Sequence, residues 1–272
     1  MSTAKSIKRA RWALKQADIA LKEADDALNR RAVTEADEAR IFLHRAFGLP
    51  DDIPKQADTP NGLRDAALRL REYGTRAFRV GDEIEAYNTF TGLARWAVIG
   101  INADEVEGGL TLTLQNTVPE IGRSFDAPGL AHPWGRNCWN LCSLREWLND
   151  AFIQGFSVRD RDCIQRVRKK TYSFSDGEYI HTTDRVFLLS ASEAGFEIDG
   201  ERIRDEGKAY PYYSSGDEAR QLTTKDGKEI SWLLRSPHPW HADRVHVVHP
   251  SGDLSNDLAN TGHALAMVCV IG

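Results

Sequence analysis

Apolar residues at the start of the chain repeat with the spacing of a helix that packs along one seam. They lie alternately three and four positions apart: Ile7, Ala10, Leu14, Ala17, Leu21, Ala24 and Leu28. A heptad seam of this kind needs a partner helix to cover it. Two arrangements provide one: an intrachain bundle with later helices, or self-association of the first helix, for which a trimer is favoured.

Two further stretches have helical periodicity before residue 77. Residues 34–47 are followed by Gly48 and Pro50, and residues 62–73 place Leu63, Ala66, Ala67 and Leu70 on one face before Gly74. Glycine and proline at these positions are helix stop signals. The pattern predicts a helical attachment or oligomerisation module over residues 1–76.

The pattern changes at Phe78 to β-branched and aromatic runs separated by turn residues, which indicates strands. The predicted strands are 83–87, 94–101, 110–116, 185–189, 231–235, 244–249 and 264–271. One helix is predicted at 143–151, and another begins at Ser190 or Ser192 with Glu193 in its first turn. The predicted fold class is therefore α+β, with the helical module followed by a mixed β domain with long loops over residues 77–272.

Composition narrows the class of protein. Of the 272 residues, 41% are apolar and 28% are charged, which is typical of a globular chain, and the net charge of −5 argues against nucleic-acid binding. The basic N-terminus lacks the apolar core of a signal peptide, and no apolar run reaches about 18 residues. We expect cytoplasmic synthesis without a signal peptide and no membrane insertion. The four cysteines are predicted to be reduced and mostly buried: Cys138, Cys142, Cys163 and Cys269.

Several segments, taken in order, resemble an uncharacterised domain family of bacteria and their phages. They are RWAVIGIN (95–102), LREWLND (144–150), RVFLLSASE (185–193), SWLLRSP (231–237) and VHVVHPSGDLSNDLANTG (245–262). The Trp-Leu-Leu-Arg-Ser-Pro strand with its downstream Ser-Gly-Asp turn is the most specific part. The resemblance implies a C-type-lectin-like fold of the branch shared with formylglycine-generating enzymes. It also implies ligand binding, through a C-terminal stretch that diversity-generating retroelements rewrite in some members.

Known catalytic patterns are missing from the sequence. Formylglycine-generating enzymes need a cysteine pair near the C-terminus, and only Cys269 lies there, in an apolar run. His246 and His249 are three apart and face opposite sides of a strand, so they do not form a metal pair. Glu120, Asn149 and Asp150 do not surround one point, as calcium requires. We therefore predict no enzyme activity, no cofactor and no metal.

The stretch from residue 238 to residue 263 is the best candidate for a binding face, because it is rich in polar residues around an apolar frame. Trp240 is its predicted aromatic anchor, whereas the other tryptophans are assigned to packing and Arg235 to pinning loop carbonyls. The candidate ligand-binding residues are His238, Trp240, His241, Asp243, His246, His249, Asp253, Asn256, Asp257, Asn260 and His263.

The function expected from these features is recognition of a cell-surface protein or glycan by a phage- or prophage-encoded, virion-associated, receptor-binding or adhesin-like protein. A different class, a structural virion component such as a capsid decoration or tail-assembly protein, is the alternative. A formylglycine-generating-like enzyme is the third hypothesis.

Overall fold

The computed structural model describes residues 60–117, 122–197, 205–224 and 226–272. All of them belong to one compact unit, Ile53–Gly272. The heptad seam and the predicted helix at 34–47 lie outside the described residues. Self-association and the domain boundary at residue 76 therefore stay predictions.

Fifteen strands and three α-helices are found in the described ranges. The helices are α1 (Leu63–Tyr73), α2 (Ser143–Trp147), which continues as a π-helical turn (Leu148–Phe152), and α3 (Val158–Cys163). The strands are β1 (Glu83–Asn88), β2 (Gly92–Ile101), β3 (Leu110–Leu114), β4 (Asn116–Thr117), β5 (Arg123–Ser124), β6 (Val167–Ser173), β7 (Glu178–Asp184), β8 (Val186–Phe187), β9 (Leu222–Thr224), β10 (Glu229–Ile230), β11 (Trp232–Pro237), β12 (Arg244–Val248), β13 (Leu254–Leu258), β14 (Gly262–His263) and β15 (Val268–Ile271).

The largest sheet is antiparallel and has the strand order β1-β2-β3-β15-β8. Exposed and buried positions alternate strictly along β1, as expected for a strand with one face to solvent, whereas every residue of β3 and β15 is buried. The sheet is therefore solvated at its β1 edge and enclosed at its centre.

Three smaller sheets and a hairpin surround this sheet. The antiparallel sheet β11-β12-β13 carries most of the predicted binding residues, and β6 and β7 form a long hairpin. The sheet β10-β9-β4 contains a parallel pair, and β14 pairs with β5. The β14–β5 pair ties the segment before β15 to the loop that precedes α2.

The core includes three completely enclosed indoles, Trp96, Trp139 and Trp232, which confirms their assignment to packing. Helix α1 contributes the four residues of its predicted apolar face to the same core, and Gly74 ends it as predicted. All four cysteines are free and buried, in agreement with the sequence-based prediction.

The predicted α+β class is wrong for the described chain, which is mostly β. Its α-helices are only 11, 5 and 6 residues long, and most of the remaining regular structure is in small, mainly antiparallel sheets. The first two helices of the predicted module lie outside the described residues, and only its third is seen, as α1. Residues 167–184, assigned to no strand, form the β6–β7 hairpin.

The helix predicted at Ser190 is also wrong, because residues 191–195 form a turn. The capping interactions themselves are present: the Glu193 amide donates to Ser190 Oγ, and the Ser190 amide donates to Glu193 Oε2. The carboxylate is also bound by Arg235, so it fixes a turn against β11 rather than starting a helix.

None of the helices in the described ranges combines the length and the apolar character needed to cross a membrane.

Candidate functional site

The predicted binding residues are distributed over both ends of the β11-β12-β13 sheet. Residues 238–243 connect β11 to β12 at one end, and residues 249–253 connect β12 to β13 at the other. Strand β12 has five residues, so the two connections lie roughly 16 Å apart along it. The predicted set is therefore divided between two separate surfaces.

Asn137, which is 1% exposed, fixes the connection 238–243 by hydrogen bonds. Its backbone amide donates to the carbonyl of Ala242 at 3.0 Å, and its Nδ2 donates to the carbonyl of His241 at 2.7 Å. The amide of Ala259 donates to the carbonyl of Asp243 at 2.7 Å. These bonds fix the loop backbone, so that its side chains project from a defined platform.

The neighbouring loop, residues 127–136, joins the same surface. The Asn260 amide donates to the Trp134 carbonyl at 3.1 Å, and Asn260 Nδ2 donates to the Pro133 carbonyl at 3.2 Å. Asn260 thus connects this loop to the end of β13. We call the surface formed by Trp134, His238, Trp240, His241 and Asn260 the loop surface.

Two tryptophans of the loop surface are exposed to solvent. The exposed fraction is 64% for Trp240 and 55% for Trp134. Exposed tryptophans on a fixed backbone are unusual in a monomeric protein and are enriched in binding hot spots. Trp240, the predicted aromatic anchor, is thus accessible, and its binding role stays a prediction. The assignment of Trp134 to packing is wrong.

Three histidines lie together next to the backbone of Trp240, whose amide donates to His238 Nδ1 at 3.2 Å. The rings of His238 and His241 have centroids 4.9 Å apart, and His238 stacks on His246 at 5.7 Å. The exposure falls along this series, from exposed His241 through half-buried His238 to His246, which is 6% exposed. The cluster therefore leads from the loop surface into the protein.

Hydrogen bonds fix the ring states within this cluster. His246 Nδ1 lies 3.3 Å from the carbonyl of Ser255 and must donate to it, so Nε2 carries a lone pair. Nε2 is buried and has no hydrogen-bond partner among the described residues. Burial, with a smaller contribution from His238, lowers the pKa of His246 to about 4.

We expect His246 to make the protein less stable in acid. Because its pKa is lower in the folded state, the unfolded chain binds a proton first, and stability is lost as pH falls from 6.5 towards about 4. The loss attributable to His246 over this range is roughly 3 kcal/mol. The measurement is urea unfolding of the wild type and His246→Phe at several pH values.

The variant has to be compared with the wild type because the contribution of Glu206 to stability changes with pH in the opposite direction to that of His246. Burial raises the pKa of Glu206 to about 7, so its contribution to stability is lost as pH rises from 4.5 through 7. The matched control is His249→Phe, which changes an exposed histidine and should keep the wild-type pH profile. If His246→Phe also keeps that profile, His246 is not the responsible group.

The other predicted residues have mainly structural contacts. His249, Ser251 and Asp253 bond to one another in the turn at the far end of the sheet. Asn256 accepts from Arg244 at 3.0 Å.

Close to the loop surface, Asp257 Oδ2 lies 3.0 Å from His263 Nε2. This pair connects the end of β13 to β14, and its neighbour Asp243 contributes a backbone carbonyl. These three residues fix the backbone next to the loop surface, and we do not count them among its ligand-contacting residues.

Two members of the site were missed from sequence, Trp134 and Asn137. Trp134 lies in the segment PGLAHPWG, which is rich in proline and glycine. This composition is typical of an exposed loop and could have indicated that the tryptophan is exposed. Nothing in the sequence indicates that Asn137 reaches a loop more than a hundred positions away.

The site offers recognition chemistry rather than a recognised catalytic set. Within the described ranges, no group of three or more histidine, cysteine, aspartate or glutamate residues is arranged to hold a metal ion. Cys269 is fully enclosed in β15, and burial raises its pKa, so the thiol stays protonated and shielded.

A second group of polar side chains lies in the interior, around Arg235. This residue is 0% exposed and donates to the carbonyls of Leu188 at 2.8 Å and Glu206 at 2.9 Å. It also forms a two-pronged ion pair with Glu193. The predicted carbonyl-pinning role of Arg235 is confirmed, although the side chain is enclosed rather than half-buried.

A family model described as "Domain of unknown function (DUF6273)" matches residues 111–268, which is more than half of the chain. The matched range includes the β11-β12-β13 sheet and both loops of the loop surface, whereas strands β1 and β2 of the central sheet precede it. Neither a curated protein nor a solved structure matches the chain.

Proposed function

The chain belongs to the DUF6273 family, and we propose that it is a ligand-recognition protein that binds a cell-surface protein or glycan through the loop surface. The observation that carries the proposal is the pair of exposed tryptophans, Trp134 and Trp240, on two loops whose backbones are fixed by hydrogen bonds. Asn137 holds the loop of Trp240, and Asn260 holds the loop of Trp134. A fixed backbone lowers the entropy lost on binding, so exposed aromatic area on it is effective in recognition.

The chemistry of the surface is suited to a ligand with mixed polar and apolar faces. His238 and His241 offer ring nitrogens beside the indoles, and Asn260 supplies an amide next to them. Indole rings provide large apolar contact area with little side-chain entropy. Binding rather than catalysis is also supported by the buried, protonated state of Cys269.

The test is retention of the full chain by intact bacterial cells from a panel of strains, measured after sedimentation. We expect Trp240→Ala to lower retention at least about tenfold, the effect of a hot-spot tryptophan. His249→Ala is the control, because it changes an exposed histidine at the other end of the same sheet. Equal retention of the wild type and Trp240→Ala on every binding strain contradicts the proposal.

A second candidate function, a structural virion component, is favoured by a separate apolar surface. The β1–β2 hairpin exposes the strand residues Tyr87 at 56% and Leu93 at 52% and the turn residue Phe90 at 39%. Apolar residues clustered at a sheet edge are typical of protein–protein contacts. In the same cell assay Tyr87→Ala should leave retention unchanged, whereas a structural role predicts that it impairs assembly into particles.

The wider context of the proposal comes from the resemblance to phage and prophage domains. We propose that the protein is carried on a virion. The N-terminal heptad seam would self-associate, with a trimer favoured, and so present several loop surfaces together. Variation of exposed residues between 238 and 263 by a retroelement would change the ligand while leaving the buried frame of β12 intact.

A further inference from the structure

A lysine lies on the buried face of β6, in contact with two carboxylates. Lys169 Nζ is 2.6 Å from Asp104 Oδ1 and 2.7 Å from Glu193 Oε1. The exposed fractions of these side chains are 3%, 7% and 4%. The aromatic ring of Phe187 lies beneath the amine, with its centroid 4.2 Å from Nζ. Enclosed lysines are rare, and an ion pair at this depth often adds little stability over apolar packing.

The Asp104 carboxylate is also held from its other side. Tyr210 Oη donates to Oδ1 at 2.7 Å and to Oδ2 at 2.8 Å, and Thr111 Oγ1 donates to Oδ2 at 2.7 Å. Burial raises the pKa of Tyr210 well above its ordinary value, so the phenol remains a donor. Both carboxylate oxygens therefore face hydroxyl donors while one of them also faces the amine.

The backbone is built to bring Asp104 into this position. Asp104 has a φ of 56°, in the left-handed region that most side chains avoid, and Asn102 and Glu105 share that conformation. At Gly100, a Cβ atom would lie 2.8 Å from the ring of Tyr210, so the strand admits only glycine beside the phenol. The β2–β3 loop and β2 are both shaped around the same group of side chains.

We propose that Lys169 and Asp104 are joined by an intramolecular amide bond between Nζ and the side-chain carboxyl carbon. Nζ lies roughly 3.3 Å from that carbon, given its distance to Oδ1, which is the separation of a near-attack arrangement. Water is excluded from the cluster, which favours condensation over hydrolysis. This inference is independent of what the loop surface binds.

The reaction balances without any added reagent. A proton of the Lys169 ammonium passes to Asp104 across their hydrogen bond, leaving an amine and a carboxylic acid. The amine lone pair forms the C–N bond, and the carbonyl electrons move onto the oxygen that Tyr210 and Thr111 stabilise. Glu193 takes the second amine proton and returns it to the hydroxyl group. The C–O bond then breaks, and one water molecule leaves.

Glu193 can perform this transfer because it stays ionised. Burial alone would raise its pKa, but the charges of Arg235 and Lys169 outweigh burial and lower it to about 2. Its carboxylate is fixed by Arg235, so Oε1 is held towards Nζ throughout the reaction.

The test is the intact mass of the denatured full chain, followed by sequencing of its proteolytic peptides. We expect the wild type to be lighter than its sequence by one water molecule and to give a branched peptide that contains both Lys169 and Asp104. Lys169→Arg should restore the full mass. Asp104→Asn should form the same link with loss of one ammonia molecule instead of water.

The matched control is Lys170→Arg, the next residue, whose ion pair with Asp205 is exposed. It should keep the mass loss of the wild type. A mass loss that persists in Lys169→Arg would show dehydration elsewhere, such as a cyclised aspartate, and would overturn the proposal. Wild-type protein of full mass, with Lys169 and Asp104 recovered on separate peptides, would also overturn it, whether or not any variant folds.

Discussion

Arg235→Met is expected to lower the free energy of unfolding by about 3 kcal/mol, the lower end of the cost of breaking a buried ion pair, because Glu193 keeps its contact with Lys169. The guanidinium is fully enclosed and binds both oxygens of Glu193. Its remaining N–H groups reach Thr171 Oγ1 at 2.9 Å and the carbonyls of Leu188 and Glu206. Methionine fills much of the volume but satisfies none of these acceptors. Urea unfolding followed by tryptophan fluorescence measures the change.

Two further variants locate the origin of this cost. Arg244→Met also removes an arginine from the β11-β12-β13 sheet, but this side chain is half-buried and donates to the neutral amide oxygen of Asn256. It should cost less than about 1 kcal/mol. The double variant Arg235→Met with Glu193→Met should recover part of the loss, because it removes the buried carboxylate that the single variant deprives of its guanidinium. Wild-type stability in Arg235→Met would show that the network is not required.

Gly252→Ala is expected to destabilise the protein by on the order of 3 kcal/mol, because two costs combine at one turn. Gly252 has a φ of 91°, and a Cβ atom there would lie 2.2 Å from the backbone oxygen of Asp217. Because the contact is with a backbone atom of Asp217, it cannot be relieved by rotation of a flexible side chain. The clash can be relieved only if the turn between β12 and β13 is displaced. That displacement also shifts Asn256, which pairs with His246 across the two strands. Thermal and urea unfolding measure the loss.

The matched control is Gly227→Ala, in the turn between β9 and β10. Gly227 has a similar φ of 83°, but among the described residues, apart from its chain neighbours, none has a heavy atom within 4 Å of a Cβ placed there. It should therefore show only the conformational cost, about 1 kcal/mol. Equal losses for the two variants would mean that the contact with Asp217 contributes nothing.

The strands with regular apolar patterns were predictable from sequence, whereas β6, which contains the buried Lys169, was not. β1 alternates as predicted, and β2 and β3 are apolar runs bounded by turn residues. Strand β6, VRKKTYS, has the composition of a solvated segment. Lys169 is enclosed there only because two carboxylates from distant parts of the chain, at 104 and 193, meet it. Such pairing is a property of the fold and leaves no periodic signal.

The candidate site was partly predictable for the same reason. The three-residue spacing of His246 and His249 predicted that their side chains face opposite sides of the strand. In the structure His246 is buried and His249 is exposed. The sequence could not show that strand β12 separates His249 from His238, since loop positions depend on which strands pair. It also could not identify Trp134, which joins the loop surface only through hydrogen bonds of Asn260.

The place of β15 in the central sheet has a consequence for biosynthesis. β15 lies between β3 and β8, pairing Val268 with Thr113 on one side and with Phe187 on the other. Until residue 271 has left the ribosome, the nascent chain exposes one edge of β3 and the apolar faces beside it. At usual translation rates this exposure lasts on the order of ten seconds. The chain should therefore depend on holdase chaperones during synthesis, and slower translation should increase the fraction that aggregates.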